Sequence, residues 1–217
     1  MLYNHFMKKI KIKICGQRNL AIIDNSLNLG IDYQGLIFYK KSPRNVDIET
    51  LSGISKSFNK YSEKFFGVFV NPSLDEISKK LEIFNFGSIQ LHGSENQNLI
   101  DQIKAKFNKP IIKSITPEDF KNKTINNISY YLIESGPLSD QMPGGNNQTW
   151  NWSNFKNLNN NPFILSGGLN SSNIKNAINL TGANFVDINS GVEIEKGEKS
   201  ITLIEEIVSL IHSKKNG

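Results

Sequence analysis

The sequence predicts a single-domain α/β protein built as a (β/α)8 barrel. Three observations predict it: short runs rich in Ile, Val and Phe occur eight times, a segment of helical period follows each, and the alternation continues to the end without a linker or composition shift. Eight such units in 217 residues fit a compact closed barrel better than an open doubly wound sheet, the structural alternative.

The units run in order. Strand 10–15 leads to helix 20–29, strand 35–39 to helix 47–59, strand 65–70 to helix 74–85, and strand 88–92 to helix 96–107. Strand 110–114 then leads to helix 117–126, strand 130–134 to helix 152–158, strand 163–166 to helix 172–180, and strand 185–189 to helix 201–213. Three helices open on start chemistry: Pro72-Ser73 before Leu74, Thr116-Pro117-Glu118, and Asn170-Ser171-Ser172. There a side-chain oxygen can accept from a first-turn amide that lacks a partner within the helix, and proline suits a position whose amide is not needed. The one long irregular segment, 135–151, holds Pro137, Pro143, Gly144 and Gly145, and its place after the sixth strand suits a lid or binding loop. Residues 1–8 read as an N-terminal tail and the start of the first strand, with Met7 as an alternative start, and 9–217 as the barrel.

Composition excludes several classes. The 25 Lys and Arg exceed the 20 Asp and Glu for a net charge of +5, but the lysines are scattered singly, so the excess speaks for solubility and small anions and not for nucleic acid. One cysteine rules out an internal disulfide and a cysteine-rich zinc site. Of three histidines, His5 lies in the tail and His212 in the last helix, leaving His92 alone, so no metal is expected. The glycine fingerprints of dinucleotide sites and P-loops are absent, and no cofactor is expected. No run approaches the roughly 18 apolar residues of a membrane span, and no signal peptide precedes the first lysines, so the expectation is a cytoplasmic protein without a membrane partner.

In a barrel the residues that end each strand share one mouth, where active sites form. Here they are Cys15, Arg44 beyond the second strand, Asn71, His92, Ser114, Glu134, Ser166 and Asn189. Cys15 reads as a general base or nucleophile that needs a nearby positive charge, with Arg44 the nearest candidate, or else as a small buried hydrophobe. Glu134 reads as an acid kept protonated by partial burial, or else as half of a salt bridge. His92 reads as an acid or ligand, or else as a structural hydrogen-bonder. Ser166-Gly167-Gly168 after the seventh strand and Asn189-Ser190-Gly191 after the eighth form consecutive glycine turns, and Val192-Glu193 could open a short extra helical turn. Such turns let amides approach a phosphate closely.

Taken together, Lys13-Ile14-Cys15-Gly16, Ile37-Phe38-Tyr39 with Ser42-Pro43-Arg44, Gly67-Val68-Phe69-Val70-Asn71 and Gln90-Leu91-His92-Gly93 resemble the ordered signature of phosphoribosylanthranilate isomerase. Pro143-Gly144-Gly145 with Thr149 and Trp152, Leu165-Ser166-Gly167-Gly168-Leu169, and Val186-Asp187 with Ser190-Gly191-Val192-Glu193 complete it. The resemblance runs from about Lys9 to the C-terminus. It implies a cofactor-free Amadori rearrangement of N-(5-phosphoribosyl)anthranilate to 1-(2-carboxyphenylamino)-1-deoxyribulose 5-phosphate in tryptophan biosynthesis. It further implies Cys15 as base, Glu134 at the acid's position, Arg44 on the anthranilate carboxylate, and a phosphate held by residues 166–168 and 189–191. His92 and Gly145 would line the site, in a monomer or homodimer.

Two departures stand out. The family's acid is an aspartate, one methylene shorter than Glu134. Its loop after the sixth strand reads Gly-Gly-Thr-Gly-Lys-Thr-Phe-Asp-Trp, whereas this chain has Asn147, Gln148 and Asn151 in place of the second-run glycine, the lysine and the aspartate. Asp140 in that loop is a second candidate carboxyl. These changes motivate the alternative of a catalytically impaired barrel that only binds a phosphorylated ligand. A ribulose-phosphate epimerase would want His and Asp metal ligands, and an indole-glycerol-phosphate synthase a set of strand-end lysines; neither set is present.

Overall fold

The computed structural model describes residues 9–122, 125–136, 149–155 and 162–212. Eight parallel strands close into a barrel: β1 (Lys11–Cys15), β2 (Tyr33–Ile37), β3 (Phe65–Phe69), β4 (Ser88–Leu91), β5 (Ile111–Ile115), β6 (Tyr130–Ile133), β7 (Phe163–Leu165) and β8 (Phe185–Ile188). Each pairs with the next, and β1 closes the ring on β8 with Lys13 opposite Asp187. Around them run α1 (Leu20–Asn28), α2 (Ile48–Phe58), α3 (Leu74–Ile83), α4 (Gln97–Phe107), α5 (Pro117–Asn122), α6 (Ile174–Thr181) and α7 (Ile201–His212). After β8 a 3-10 turn (Ser190–Val192) leads into a hairpin of β9 (Glu193–Glu195) and β10 (Glu198–Lys199). No helix among the described residues is long and apolar enough to cross a membrane.

The eight strands match the expected ones, with bounds moved by one or two residues. Several expected strands included their last polar residue. In the structure His92, Glu134, Ser166 and Asn189 stand just past the last residue of their strands, where the chain turns into the mouth. Start chemistry is realised at Ser73, whose hydroxyl and Glu76 form a reciprocal capping box, and at Thr116, whose Oγ1 accepts from Asp119 N at 3.1 Å. Before α6 the same kind of contact, Ser172 N to Asn170 Oδ1, closes a turn, and the helix begins two residues later at Ile174. Of the expected helix 117–126, Pro117–Asn122 is helical, residues 123 and 124 lie outside the described residues, and Ile125 is no longer helical: the Tyr131 hydroxyl accepts from Ile125 N and donates to Ile125 O. Of the expected helix 152–158, Trp152–Asn154 is a 3-10 turn, and residues 156–158 lie outside the described residues.

Two apolar layers lie between strands and helices, one around Ile12, Ile14, Leu165 and Ile188, the other around Leu36, Phe65, Phe86 and Ile89. Fully burying a side chain of this size is worth about 1.5–3 kcal/mol. A third cluster fills the barrel itself, where Phe66, Ile112, Leu132, Ile164 and Phe185 meet Tyr33 and Tyr130. The Tyr33, Phe66 and Phe185 rings lie 5.0 and 5.2 Å apart by centroid, a plug that excludes water from below. Above it Lys13 Nζ stands 5.5 Å from the Phe66 ring, so the polar chemistry begins where the aromatic layer ends.

Candidate active site

The floor of the mouth is an ion pair. Period-two alternation in β1 sends Ile12 and Ile14 to the helices and Lys13 and Cys15 inward, where Lys13 Nζ meets Asp187 Oδ1 at 2.9 Å with both side chains buried. Burial works against the Lys13 charge, but Asp187 and Cys15 outweigh it and hold the ammonium's pKa above its usual value. Opposite Cys15, β2 carries Gly35. A methyl group placed there would stand 2.9 Å from Cys15 Sγ and 3.0 Å from Lys13 Nζ, so only glycine leaves the sulfur its room.

Cys15 is 4% exposed. Burial pushes its thiol up, Lys13 and Lys199 pull it back only in part, and Asp187 adds to the rise, so the resting thiol carries its proton. The expectation that Arg44 supplies the activating charge is corrected here. Arg44 is buried, and its Nε and Nη2 each donate at 2.7 Å to the two oxygens of Glu193. That fork commits most of its charge, and the cations acting on the sulfur are Lys13 and Lys199. The Arg44 side chain still borders the mouth, since a methyl on Gly16 would meet its Cδ at 2.8 Å.

Glu134 lies at the same end of the barrel, after β6. Its Oε1 stands 2.5 Å from His92 Nε2 and accepts from Ser114 Oγ at 3.2 Å. Burial raises the carboxyl's pKa, but His92, the Ser114 hydroxyl and Lys13 together bring it below its usual value. For His92, burial opposes the charge and Glu134 overcomes it, so the imidazole is raised. The expectation of a carboxyl kept protonated by burial is therefore corrected: Glu134 rests ionised, because strand 88–92 delivers His92 onto it. Lys13 acts on both Cys15 and Glu134, which ties the two into one electrostatic cluster.

His92 and Glu134 line a cavity of about 510 Å³ together with Val70, Asn71, Lys113 and Ser114. Cys15 lies outside that lining, on the β1 side of the same mouth. A buried Glu95 holds the rim: it accepts from Asn71 N at 2.8 Å and Gly93 N at 3.0 Å, while Lys113 Nζ donates to Glu95 at 3.0 Å and to Gly93 O at 2.7 Å.

Ser166, Gly167 and Gly168 leave β7 with both glycines at positive φ, 91° and 63°. Trp150 Nε1 donates to Ser166 O at 3.0 Å, and Asn173 Nδ2 to Gly168 O at 2.9 Å. The Ser166 carbonyl thus held turns the amide of Gly167, in the same peptide plane, to the opposite side, and among the described residues the amides of Gly167 and Gly168 donate to no other group. After β8, Asn189 precedes the turn that contains Ser190 and Gly191. The short extra turn expected at Val192-Glu193 lies at Ser190–Val192 instead, because Glu193 starts β9. Lys199 Nζ on β10 donates to Asn189 O at 2.9 Å, Asn189 Oδ1 at 2.7 Å and Glu193 Oε1 at 2.6 Å. Burial lowers Lys199 to about 8 despite Glu193. Glu193 itself is brought down to about 2, because Arg44 and Lys199 overcome its burial.

Lys199 braces the second glycine turn with three donated bonds while protonated, and the neutral amine has hydrogens for only two. Affinity for inorganic phosphate is expected to fall about tenfold, one lost buried hydrogen bond, as pH rises through about 8. Lys199→Met should show the weaker binding at every pH. Calorimetric titration between about pH 7 and 9 measures both, and an affinity that ignores Lys199 removes it from the site.

Gly145 and Asp140 lie outside the described residues. Among the described residues, no group of three His, Cys, Asp or Glu is placed to hold a metal. Lys13, Asp187, Glu95, Lys113, Glu193 and Lys199 were not assigned roles from sequence. Two signals were available: Lys13 shares the inward face with Cys15, and Lys13, Asp187 and Glu193 stand within the motifs quoted above.

A family model described as N-(5'-phosphoribosyl)anthranilate (PRA) isomerase matches residues 12–210. The isomerase of Petrotoga mobilis is 36% identical over 208 residues, covering 95% of this chain and 99% of the relative. That of Sinorhizobium medicae is 31% identical, covering 94% and 97%. Among solved structures, phosphoribosyl anthranilate isomerase from Thermotoga maritima superposes with a TM-score of 0.75 at 26% identity, covering 93% of this chain and 98% of that one. A structure of the same activity, in complex with reduced 1-(o-carboxyphenylamino)-1-deoxyribulose 5-phosphate, gives 0.74 at 26% identity over the same shares, 93% and 98%.

Proposed function

The chain belongs to the N-(5'-phosphoribosyl)anthranilate isomerase family, and from that premise we propose how its own residues carry the reaction. The enzyme converts N-(5'-phosphoribosyl)anthranilate to 1-(2-carboxyphenylamino)-1-deoxyribulose 5-phosphate in tryptophan biosynthesis. The phosphate sits against the amides of Gly167, Gly168, Ser190 and Gly191, flanked by Ser166 and Asn189, because such turns favour an anion. The anthranilate carboxylate approaches Arg44, whose Nη1 is not engaged by Glu193.

Glu134 gives a proton to the ribose ring oxygen. The bond between that oxygen and the anomeric carbon breaks, its electrons pass to the oxygen, and the nitrogen lone pair closes the Schiff base. The iminium acidifies the neighbouring C–H, Cys15 removes that proton as thiolate, and the resulting enolamine relaxes to the ketone. Both groups rest in the opposite state, thiol and carboxylate, so the active form requires one proton to be lost at Cys15 and one gained at Glu134. Lys13 and Lys199 favour the thiolate, and the arriving iminium adds to their effect.

The observation that carries this reading is one mouth holding Cys15, the Glu134–His92 pair and two glycine turns, linked by Lys13. The binding-only alternative rested on the longer acid and the changed loop; Asn147 and Gln148 of that loop lie outside the described residues, and Glu134 is engaged by two partners, His92 and Ser114. All groups invoked lie on one chain, so a monomer suffices and a homodimer carries two separate sites; we place the reaction in the cytoplasm. Purified protein should consume phosphoribosylanthranilate, followed by decay of its fluorescence, and should restore growth of a tryptophan auxotroph lacking the isomerase. Soluble protein that does neither sinks the reading.

A further inference from the structure

His92 is buried against Glu134 and has no task in the reaction as described. Its Nδ1 stands 3.2 Å from Gln90 Nε2. Gln90 is fully buried, and its Oε1 has no hydrogen-bond partner. A buried amide oxygen without a partner calls for an explanation. A half-turn of the amide exchanges its oxygen and nitrogen. The oxygen then accepts from Nδ1–H, the hydrogen that an imidazolium carries and the Nε2–H tautomer lacks. Gln90 can therefore serve both forms of the ring.

Glu134 needs such a neighbour, because it rests ionised yet must deliver a proton in each turnover. We propose that His92 is the positioning residue that supplies Glu134 with its proton, while the Gln90 amide oxygen holds the proton on the far nitrogen. The proposal rests on the isomerase reading of the site. Before the step His92 is an imidazolium and Glu134 a carboxylate. The Nε2 proton passes to Oε1 and from there to the ring oxygen as its bond to carbon breaks. His92 is left neutral with Nδ1–H bonded to Gln90, Glu134 is again a carboxylate, and solvent recharges the ring. Around His92, Glu134 after β6 and Asp187 on β8 favour the charge, while Lys13 on β1 opposes it. Glu95 and Lys113, which line the same cavity, are paired with each other.

The test compares kcat–pH profiles of wild type and His92→Gln. With the reservoir gone, kcat should fall about a hundredfold near pH 7 with little change in KM. The gap should close to within about tenfold toward pH 5, where solvent protonates a carboxyl that burial raises once His92 is gone. A gap that stays constant with pH, or no gap, overturns the proposal. If His92→Gln fails to fold, nitrogen NMR of wild-type His92 decides: two protonated nitrogens near neutral pH support it, and a singly protonated ring overturns it. Gln90→Met should lower the NMR midpoint of His92 by about one unit or more, and an unmoved midpoint removes Gln90. Wild-type protein inactive at every pH would instead overturn the isomerase reading, and the NMR result stands independently of substrate.

Discussion

Cys15→Ala is expected to lower kcat about a hundred- to ten-thousand-fold, the range a positioned acid or base contributes, with binding of the reduced product analogue within about threefold. The thiol is buried beside Gly35, and alanine removes only the sulfur, so the strand, the Lys13–Asp187 pair and the glycine turns keep their places. Cys15→Ser should lose nearly as much, because a hydroxyl holds its proton far more tightly than a thiol. Steady-state turnover with analogue binding by calorimetry checks both variants. Full activity in Cys15→Ala would remove the base from β1 altogether.

Glu134→Gln is expected to cost a similar factor, about a hundred- to ten-thousand-fold in kcat. The amide carries no transferable proton, and it removes the charge that keeps His92 protonated in a buried site. Glu134→Asp separates the two losses. It restores the family's aspartate, but it draws the carboxyl back by one methylene from an imidazole now 2.5 Å away. A shift of that size can cost up to about a hundredfold in a proton transfer, so the aspartate variant should fall between wild type and the amide. If the glutamine variant turns over at the wild-type rate, the acid lies elsewhere.

The parts of this protein readable from sequence are those written locally. Eight apolar runs with helical segments between them state the barrel, and Pro72-Ser73 before Leu74 states a helix start. The strand ends place Cys15, His92 and Glu134 at one mouth because a parallel barrel puts every strand's end there. Their protonation states were not readable, since they depend on partners that only closure brings near. Lys13 meets Asp187 across 174 positions, and Arg44 meets Glu193 across 149. No local pattern marks those pairs, and Arg44 read by itself looks like free charge for the thiol. Lys13 in an alternating strand reads equally well as a solvated side chain; only the closed sheet makes its face the interior. The β9–β10 hairpin was missed because its strands of three and two residues hold three glutamates and a lysine in place of an apolar run.

The hydrogen in place of a side chain at Gly35 also limits how this scaffold can be remodelled. A library that varies β2 next to the sulfur should return almost nothing but the parent sequence, since any added carbon displaces either the proton-accepting atom or its ammonium neighbour. Variation around Val70, Ser114 and Ile115, where the interior already opens to solvent, has space to spare. Acceptance of bulkier or differently substituted arylamines should therefore evolve from that side of the barrel alone.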